Sequence, residues 1–312
     1  MPGRPPEVHA YLADLGEGRW MLVDGGLGTD DAWAALEAGV ASIAGGWDAV
    51  AVHVVTHMHM DHVGLAARVR ATTGAPVLMG RLDAERMEHA AAHPEEEAEY
   101  RRDLFRRCGA SAEWIDAVES GRASAQSLAP PVTVDATLDG DEGDVPGADG
   151  WRYAWTPGHT AGHVSLHRPA DGLVIAGDAV LPRITPTLGV NRQRADPVGD
   201  YVAALGRLEA LRPRIVLPGH GDPVADDGAR LRELIAAAEG ETETVASLVS
   251  GEPASVWEIV DRRWPGREMG AGTRMLALRE TRAHLDRLAA MRRVAREDGA
   301  EGADRFRRAP AG

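Results

Sequence analysis

Side chains that bind metal ions crowd one short stretch of this chain. His57, His59, Asp61 and His62 fall within six residues, in Thr56-His57-Met58-His59-Met60-Asp61-His62. In an extended segment, residues two apart project to the same side, so His57 and His59 can aim at one point. Asp61 and His62 then fall near a helix start and can face a second point close by. Imidazole and carboxylate are both zinc ligands, at about 2.0–2.2 Å. Three later segments share this character: Thr156-Pro157-Gly158-His159, Ala176-Gly177-Asp178 and Leu217-Pro218-Gly219-His220. In each, a ligand type stands beside glycine, which lets the backbone turn sharply and approach closely. Burying such a cluster with no metal would leave several polar groups unpaired. Isolated histidines such as His9, His89, His93 and His284 read instead as surface or capped core residues.

The surrounding pattern shows how these groups would be positioned. Residues 8–12 and 20–23 read as a hairpin across Gly16 and Gly18, followed by a helix over 30–44 capped by Asp30 or Asp31. The continuous apolar run 49–55 reads as a buried strand that ends where the histidine cluster begins. A helix resumes near Val63, and 76–79 is another strand. Residues 83–127 are charged and helical in pattern, an insertion. Further strands are expected at 131–134, 151–155, 164–167, 173–176 and 215–217, with a loop over 182–197 and an amphipathic helix over 200–211. From Pro223 the chain reads as helical to about Ser250. Helices over 254–263 and 273–290 follow, then two short strands over 292–297 and 305–308. His159, Asp178 and His220 therefore stand at strand ends, which would converge on one edge of a β-sandwich. The order is an α/β body, residues 1–238, followed by a small, mainly helical, winged-helix-like module, residues 239–312.

Composition narrows the chemistry. The chain has 312 residues, 44% of them apolar, enough for a sizeable core. It carries a net charge of −14 and no lysine, which excludes Schiff-base chemistry and argues against nucleic acid as a partner. Its one cysteine, Cys108, excludes an intrachain disulfide and a thiolate zinc cluster. No run approaches the ~18–20 apolar residues of a membrane span. The N-terminus has no charged segment leading into an apolar run, so a cytoplasmic protein without a membrane partner is expected.

The four motifs, in this order, resemble the metallo-β-lactamase superfamily, and the resemblance runs from about Val8 to Val224. It implies an αβ/βα sandwich with the site at one edge of two packed sheets. It further implies that one metal ion takes His57, His59 and His159, that the other takes Asp61, His62 and His220, and that Asp178 bridges them together with a hydroxide. Two zinc ions are the expected cofactor, and iron or manganese suits the same donors. Asp178 stands where some antibiotic-hydrolysing zinc β-lactamases carry a cysteine ligand. His59 stands where the flavo-diiron branch carries an acidic residue. The pattern is closer to glyoxalase II, acyl-homoserine lactonases and thioesterase-like hydrolases. The family's usual first strand is missing before Val8; either the chain is trimmed there or residues 2–7 partly replace the strand.

These expectations define a hydrolase of small acyl substrates: thioesters, lactones or related esters. Asp61 is expected to orient the hydroxide and pass its proton to the leaving group. Metal-bound histidines need a partner on the other ring nitrogen. Asp24 is the first candidate, with Thr56, Thr160 and His163 as others. Arg183, Asn191, Arg192 and Arg194 in the 182–197 loop are candidates to hold an anionic substrate group. Tyr100, Phe105 and Trp114 are read as packing the insertion. Two alternatives remain: a nuclease, suggested by the winged-helix-like tail, and a mononuclear-iron oxygenase acting on thiols or persulfides. Residues 241–312 carry 13 arginines against 12 acidic residues, too balanced for a broad nucleic-acid footprint, so the tail is expected to cap the core or to form a homodimer contact.

Overall fold

The computed structural model describes residues 7–123, 128–225, 228–299 and 302–310. The N-terminal replacement expected at residues 2–7 falls, apart from Glu7, outside them, as does the end of the insertion at 124–127.

The first sheet runs β1 (Tyr11–Gly16), β2 (Arg19–Val23), β3 (Val50–Val55), β4 (Val77–Gly80) and β5 (Ala136–Leu138) in that spatial order. The second runs β11 (Val224–Ala225), β10 (Ile215–Pro218), β9 (Leu173–Gly177), β8 (Val164–Arg168), β7 (Arg152–Trp155) and β6 (Glu142–Asp144). Alternation along the strands splits their side chains between two faces. Met21, Val23, Val52, Val54 and Leu78 turn inward against Tyr153, Val164, Leu166 and Ile175 of the other sheet. Leu22 and Val50 turn outward against α1 (Asp30–Ala44) and α3 (Ala66–Thr73). The second sheet is covered on its outer face by α7 (Pro197–Ala210) and α8 (Ala229–Leu248), through Val198, Tyr201, Leu205, Leu208, Leu231 and Leu234. The result is the αβ/βα layering that the family resemblance implies.

The insertion forms α4 (Arg81–Ala92), α5 (Pro94–Arg107) and α6 (Ala112–Ala123). The tail forms α9 (Val256–Arg263), α10 (Ala271–Ala290) and a small sheet of β12 (Ala254–Ser255), β14 (Asp304–Arg308) and β13 (Val294–Asp298). Insertion and tail share one core: Phe105, Cys108, Ile115 and Val118 pack with Val245, Ile259, Leu278, Leu285 and Phe306, and Trp114 packs against them. Helix α8 runs unbroken across residues 238 and 239, its first half in the sandwich core and Val245 in this second core. Two ion pairs, the first buried and the second half-buried, clamp α10 in place. Arg282 reaches Asp304 at 2.8 Å, and Arg287 reaches Asp196 at 2.7 Å.

Several local expectations change. Thr29, not Asp30 or Asp31, caps α1, its hydroxyl accepting from Ala32 N. Residues 131–134 are not a strand. Pro130 and Pro131 offer no N–H, and Asp135 takes the Val77 N–H with its carboxylate, so pairing with β4 starts only at Ala136. Val132 and Val134 are apolar because they pack against a satellite core. Helix α7 starts three residues before the expected Asp200, with Asp196 as cap and Pro197 at its first position. Strand β6 is too short and too polar, and β11, at two residues, too short, to show period-2 patterning.

Candidate metal centre

All seven expected ligand residues meet at one edge of the sandwich. Strand β3 ends at Val55 and releases Thr56 to His59, after which α2 (Met60–Val63) carries Asp61 and His62 on its single turn. Strands β7, β9 and β10 run in the same direction, because β9 and β10 are parallel and β8 is antiparallel to both β7 and β9. Their C-terminal ends therefore deliver His159, Asp178 and His220 to the same edge.

The donor atoms sort into two groups around Asp178. His57 Nε2 lies 3.0 Å from His59 Nδ1, and His159 Nε2 lies 3.4 Å from Asp178 Oδ2. The other carboxylate oxygen, Oδ1, lies 3.5 Å from His62 Nε2 and 3.6 Å from His220 Nε2, and His220 Nε2 lies 3.5 Å from Asp61 Oδ2. One carboxylate thus faces both groups, His57/His59/His159 and Asp61/His62/His220. Each of these triplets has ligand atoms within 4.8 Å of one another. His62 Nε2, His159 Nε2 and Asp178 Oδ1 are buried with no hydrogen-bond partner in the protein. Buried orphan acceptors on the inner side of a His/Asp shell are what a bound cation would satisfy, so the residues present fit a pair of metal ions.

The outer ring nitrogens set the tautomers. His62 Nδ1–H donates to Asp24 Oδ2 at 2.8 Å. The Thr56 hydroxyl donates to the same oxygen at 2.9 Å, so its own oxygen is free to accept from His57 Nδ1–H at 3.0 Å. His159 Nδ1–H donates to the Thr187 carbonyl at 3.0 Å, and His220 Nδ1–H to the Glu7 carbonyl. Each acceptor leaves the inner Nε2 as a lone pair, the form a metal requires. Asp24 also accepts the Thr56 N–H on Oδ1 at 2.8 Å, and it holds this position with φ 59°. His163 is not aimed at the centre. Its Nε2 accepts the Asp178 backbone N–H at 3.1 Å, and its Nδ1 meets Thr156 Oγ1 at 2.7 Å.

Electrostatics differ between the two donor groups. Burial opposes protonation of His62, but the charge of Asp24 and its hydrogen bond, followed by Asp178 and Asp61, raise it to about 9. Burial, then the neighbouring histidines, hold His57 well below its ordinary value. Burial raises the Asp61 carboxyl, but the His220 hydrogen bond and the charges of His62 and His59 outweigh it and hold the group below the carboxylate range.

Sequence reasoning missed several contributors. Asp83, on the first turn of α4, is fully buried and staples two ligand loops. Its Oδ2 accepts from Met58 N at 3.0 Å and from the Thr160 hydroxyl at 2.6 Å, and its Oδ1 accepts from Gly162 N at 2.7 Å. Thr160 therefore serves Asp83 and not a ligand histidine. The N-terminal segment straps the His220 loop, through Tyr11 Oη to the Pro218 carbonyl at 2.6 Å and His9 Nε2 to the Gly221 carbonyl at 2.8 Å. Nothing in the sequence marks His9 or Tyr11, because their partners lie 212 and 207 residues away. Two glycines have a steric reason. A Cβ on Gly219 would lie 2.4 Å from Asp178 Oδ1 and 2.7 Å from His62 Cε1, and one on Gly177, at φ +50°, would meet His163 and Thr56.

Three of the four expected anion-holding residues are committed elsewhere, and Arg192 shares one carboxylate with Arg86. Arg183 is exposed and pairs with Asp222 at 2.9 Å. Asn191 turns back to accept from Gln193 N and Arg194 N. Arg194 makes a two-pronged pair with Asp200, both contacts at 2.7 Å, over the ring of Trp155. Arg192 pairs with Glu97 at 2.7 Å.

Comparison with known proteins places this geometry. Residues 3–220 match the family model described as the metallo-beta-lactamase superfamily. Probable metallo-hydrolase YqjP of Bacillus subtilis (strain 168) is 26% identical over 278 residues, 86% of this chain and 84% of that protein. Hydroxyacylglutathione hydrolase of Fuscovulum blasticum is 26% identical over 210 residues, 67% of this chain and 60% of that protein. A metallo-beta-lactamase family protein from Thermus thermophilus superposes with a TM-score of 0.81 at 30% identity, covering 99% of this chain and 96% of its own. A beta-lactamase domain protein from Burkholderia ambifaria also reaches 0.81, at 28% identity, covering 99% and 90%. The matched model covers more than half the chain and carries the strands whose ends hold the seven clustered side chains, so this chain belongs to the metallo-β-lactamase superfamily and is a metallo-hydrolase of that fold.

Proposed function

We propose that this protein is a two-zinc hydrolase that cleaves a small thioester, lactone or related ester. The carrying observation is Asp178, whose two carboxylate oxygens face two separate groups of three further donors. His57, His59 and His159 would hold one ion and Asp61, His62 and His220 the other, with Asp178 between them. Divalent ions in such a pair supply a hydroxide near neutral pH and polarise a carbonyl oxygen. Asp61 keeps 32% of its side chain exposed and so faces the open side. Its depressed pKa keeps it ionised, so it orients the attacking water as a hydrogen-bond acceptor. It holds the water's proton only in transit to the leaving group. A thiolate or ring alkoxide needs little further acid assistance. The relatives named hydroxyacylglutathione hydrolase support the thioester reading.

Nuclease activity has less support. Of the tail arginines that could form a basic face, Arg293 pairs with Glu243, Arg305 with Glu258 and Arg307 with Glu297. Such pairing leaves little net charge for phosphates.

Elemental analysis of protein purified without added metal is the first test, with about two zinc ions per chain expected. A panel of acyl thioesters and lactones follows, with Asp61→Ala expected to abolish turnover. A single iron per chain with oxygen consumption on thiol substrates would refute the reading, as would inertness of the zinc-loaded protein across the panel.

A further inference from the structure

Beside the metal centre lies a group of guanidinium side chains with too few carboxylates to neutralise it. Arg86 of α4 and Arg192 both pair with Glu97 of α5, which is buried. Both also sit over the ring of Tyr100, with their guanidinium carbons 5.9 and 4.9 Å from its centroid. Arg279, from α10, completes the group. Its charge acts on Tyr100 and on His59. Among the described residues no carboxylate lies within ion-pair distance of Arg279. Its Nη2 donates to the Val190 carbonyl at 3.1 Å, which engages only part of a five-donor fork.

The placement of Arg279 is built. Its Nε and Cζ lie 3.3 and 3.4 Å from where a Cβ on Gly189 would stand, so the guanidinium rests on bare backbone. That loop also supplies the Thr187 carbonyl to His159. Further along α10, Arg282 and Arg287 anchor the helix. Three guanidiniums grouped about Tyr100, only two of which share the Glu97 carboxylate, concentrate positive potential at the His57/His59/His159 side of the centre in a chain of net charge −14.

We propose that Arg279, with Arg86 and Arg192 behind it, forms a subsite for an anionic group, a carboxylate or a phosphate, carried by the substrate. The substrate is then an acyl compound bearing a negative charge away from its scissile bond. This rests on the hydrolase reading and deepens it. Arginine suits the task because its planar fork meets either anion with two parallel hydrogen bonds.

The test compares kcat/KM of the zinc-loaded protein for three thioesters: one with a glutaryl group, its neutral pentanoyl isostere, and one with a phosphate on the thiol side. The wild type should favour one of the charged substrates over the neutral one at least tenfold, less so in high salt, and which one identifies the anion. Arg279→Gln should lower the charged-to-neutral ratio by about 10- to 100-fold, the range of one charge-assisted contact, and Arg279→Lys should restore part of it. A wild-type ratio near one overturns the subsite, and so does a ratio unchanged in Arg279→Gln. If Arg279→Gln does not fold, the wild-type ratio and its salt dependence decide alone. If no thioester is cleaved, the thioester reading fails, and the hydrolase reading fails with it if the lactones are not cleaved either. The subsite is then judged by equilibrium binding of glutarate and of inorganic phosphate, which Arg279→Gln must weaken tenfold or more for it to stand.

Discussion

Replacing Asp24 with asparagine separates the charge of this residue from its shape. The backbone there has φ 59°, a region asparagine tolerates as well as aspartate, so the turn after β2 is preserved. The hydrogen bonds are not. Oδ1 accepts the Thr56 N–H at 2.8 Å, while Oδ2 accepts His62 Nδ1–H at 2.8 Å and the Thr56 hydroxyl at 2.9 Å. An amide nitrogen at the Oδ1 position faces the Thr56 N–H and leaves a buried donor orphaned. An amide nitrogen at the Oδ2 position faces His62 and drives it to the tautomer protonated on Nε2, which cannot bind a metal. Either arrangement costs zinc affinity on the Asp61/His62/His220 side. Loss of a partner behind a ligand histidine typically weakens metal binding 10- to 100-fold, about 1.4–2.7 kcal/mol. Titration against a chelator of known affinity should show one of two zinc ions released at that much lower chelator strength, the other being less affected. Equal affinity for both ions in wild type and Asp24→Asn would refute the reasoning, because the tautomer would then not be set by Asp24.

Three further outcomes follow from the same geometry. Gly219→Ala places a methyl group 2.4 Å from Asp178 Oδ1, and elemental analysis should find fewer than two zinc ions per chain in a folded protein. Thr160→Val removes one hydrogen bond to the buried Asp83 carboxylate, a loss of about 1.5–3 kcal/mol in denaturant unfolding; no change would mean that the staple is not under load. Glu280, on α10, is pushed up to about 7 by burial, with Arg263 opposing and Glu241 reinforcing. A carboxyl raised in the fold binds its proton more tightly when folded. Its contribution is therefore fully present below pH 4.5 and is lost as pH rises through 7. Moving from 4.5 to about 7 is worth about 3 kcal/mol, so Glu280→Gln should gain stability relative to wild type between pH 5 and 8, and a parallel pH dependence would contradict this.

Much of this molecule was legible along the chain because the decisive signals are local. The apolar run ending at Val55 and the His-x-His-x-Asp-His segment are adjacent, so strand, turn and clustered donors could be read together. His159, Asp178 and His220 each follow a strand and stand next to glycine, which identified them without knowledge of how the sheets pack. The α/β body followed from the order of strands and helices, and the αβ/βα layering from the family resemblance. Other features depended on residues distant in sequence. That Asp178 faces both donor groups depends on β7, β9 and β10 ending at one edge. Asp83 lies 25 residues from Met58 and 77 from Thr160, and no spacing rule links a helix start to two loops. The 182–197 arginines looked available because sequence does not show that Asp200 and Asp222 would neutralise two of them, whereas Arg279, far further along the chain, comes to lie beside the centre. Periodicity and motif spacing act over a few residues and set which elements form and which chemistry they carry. Ion pairing, tautomer choice and charge surplus arise only where distant segments come within hydrogen-bonding distance, so the packed chain alone decides them.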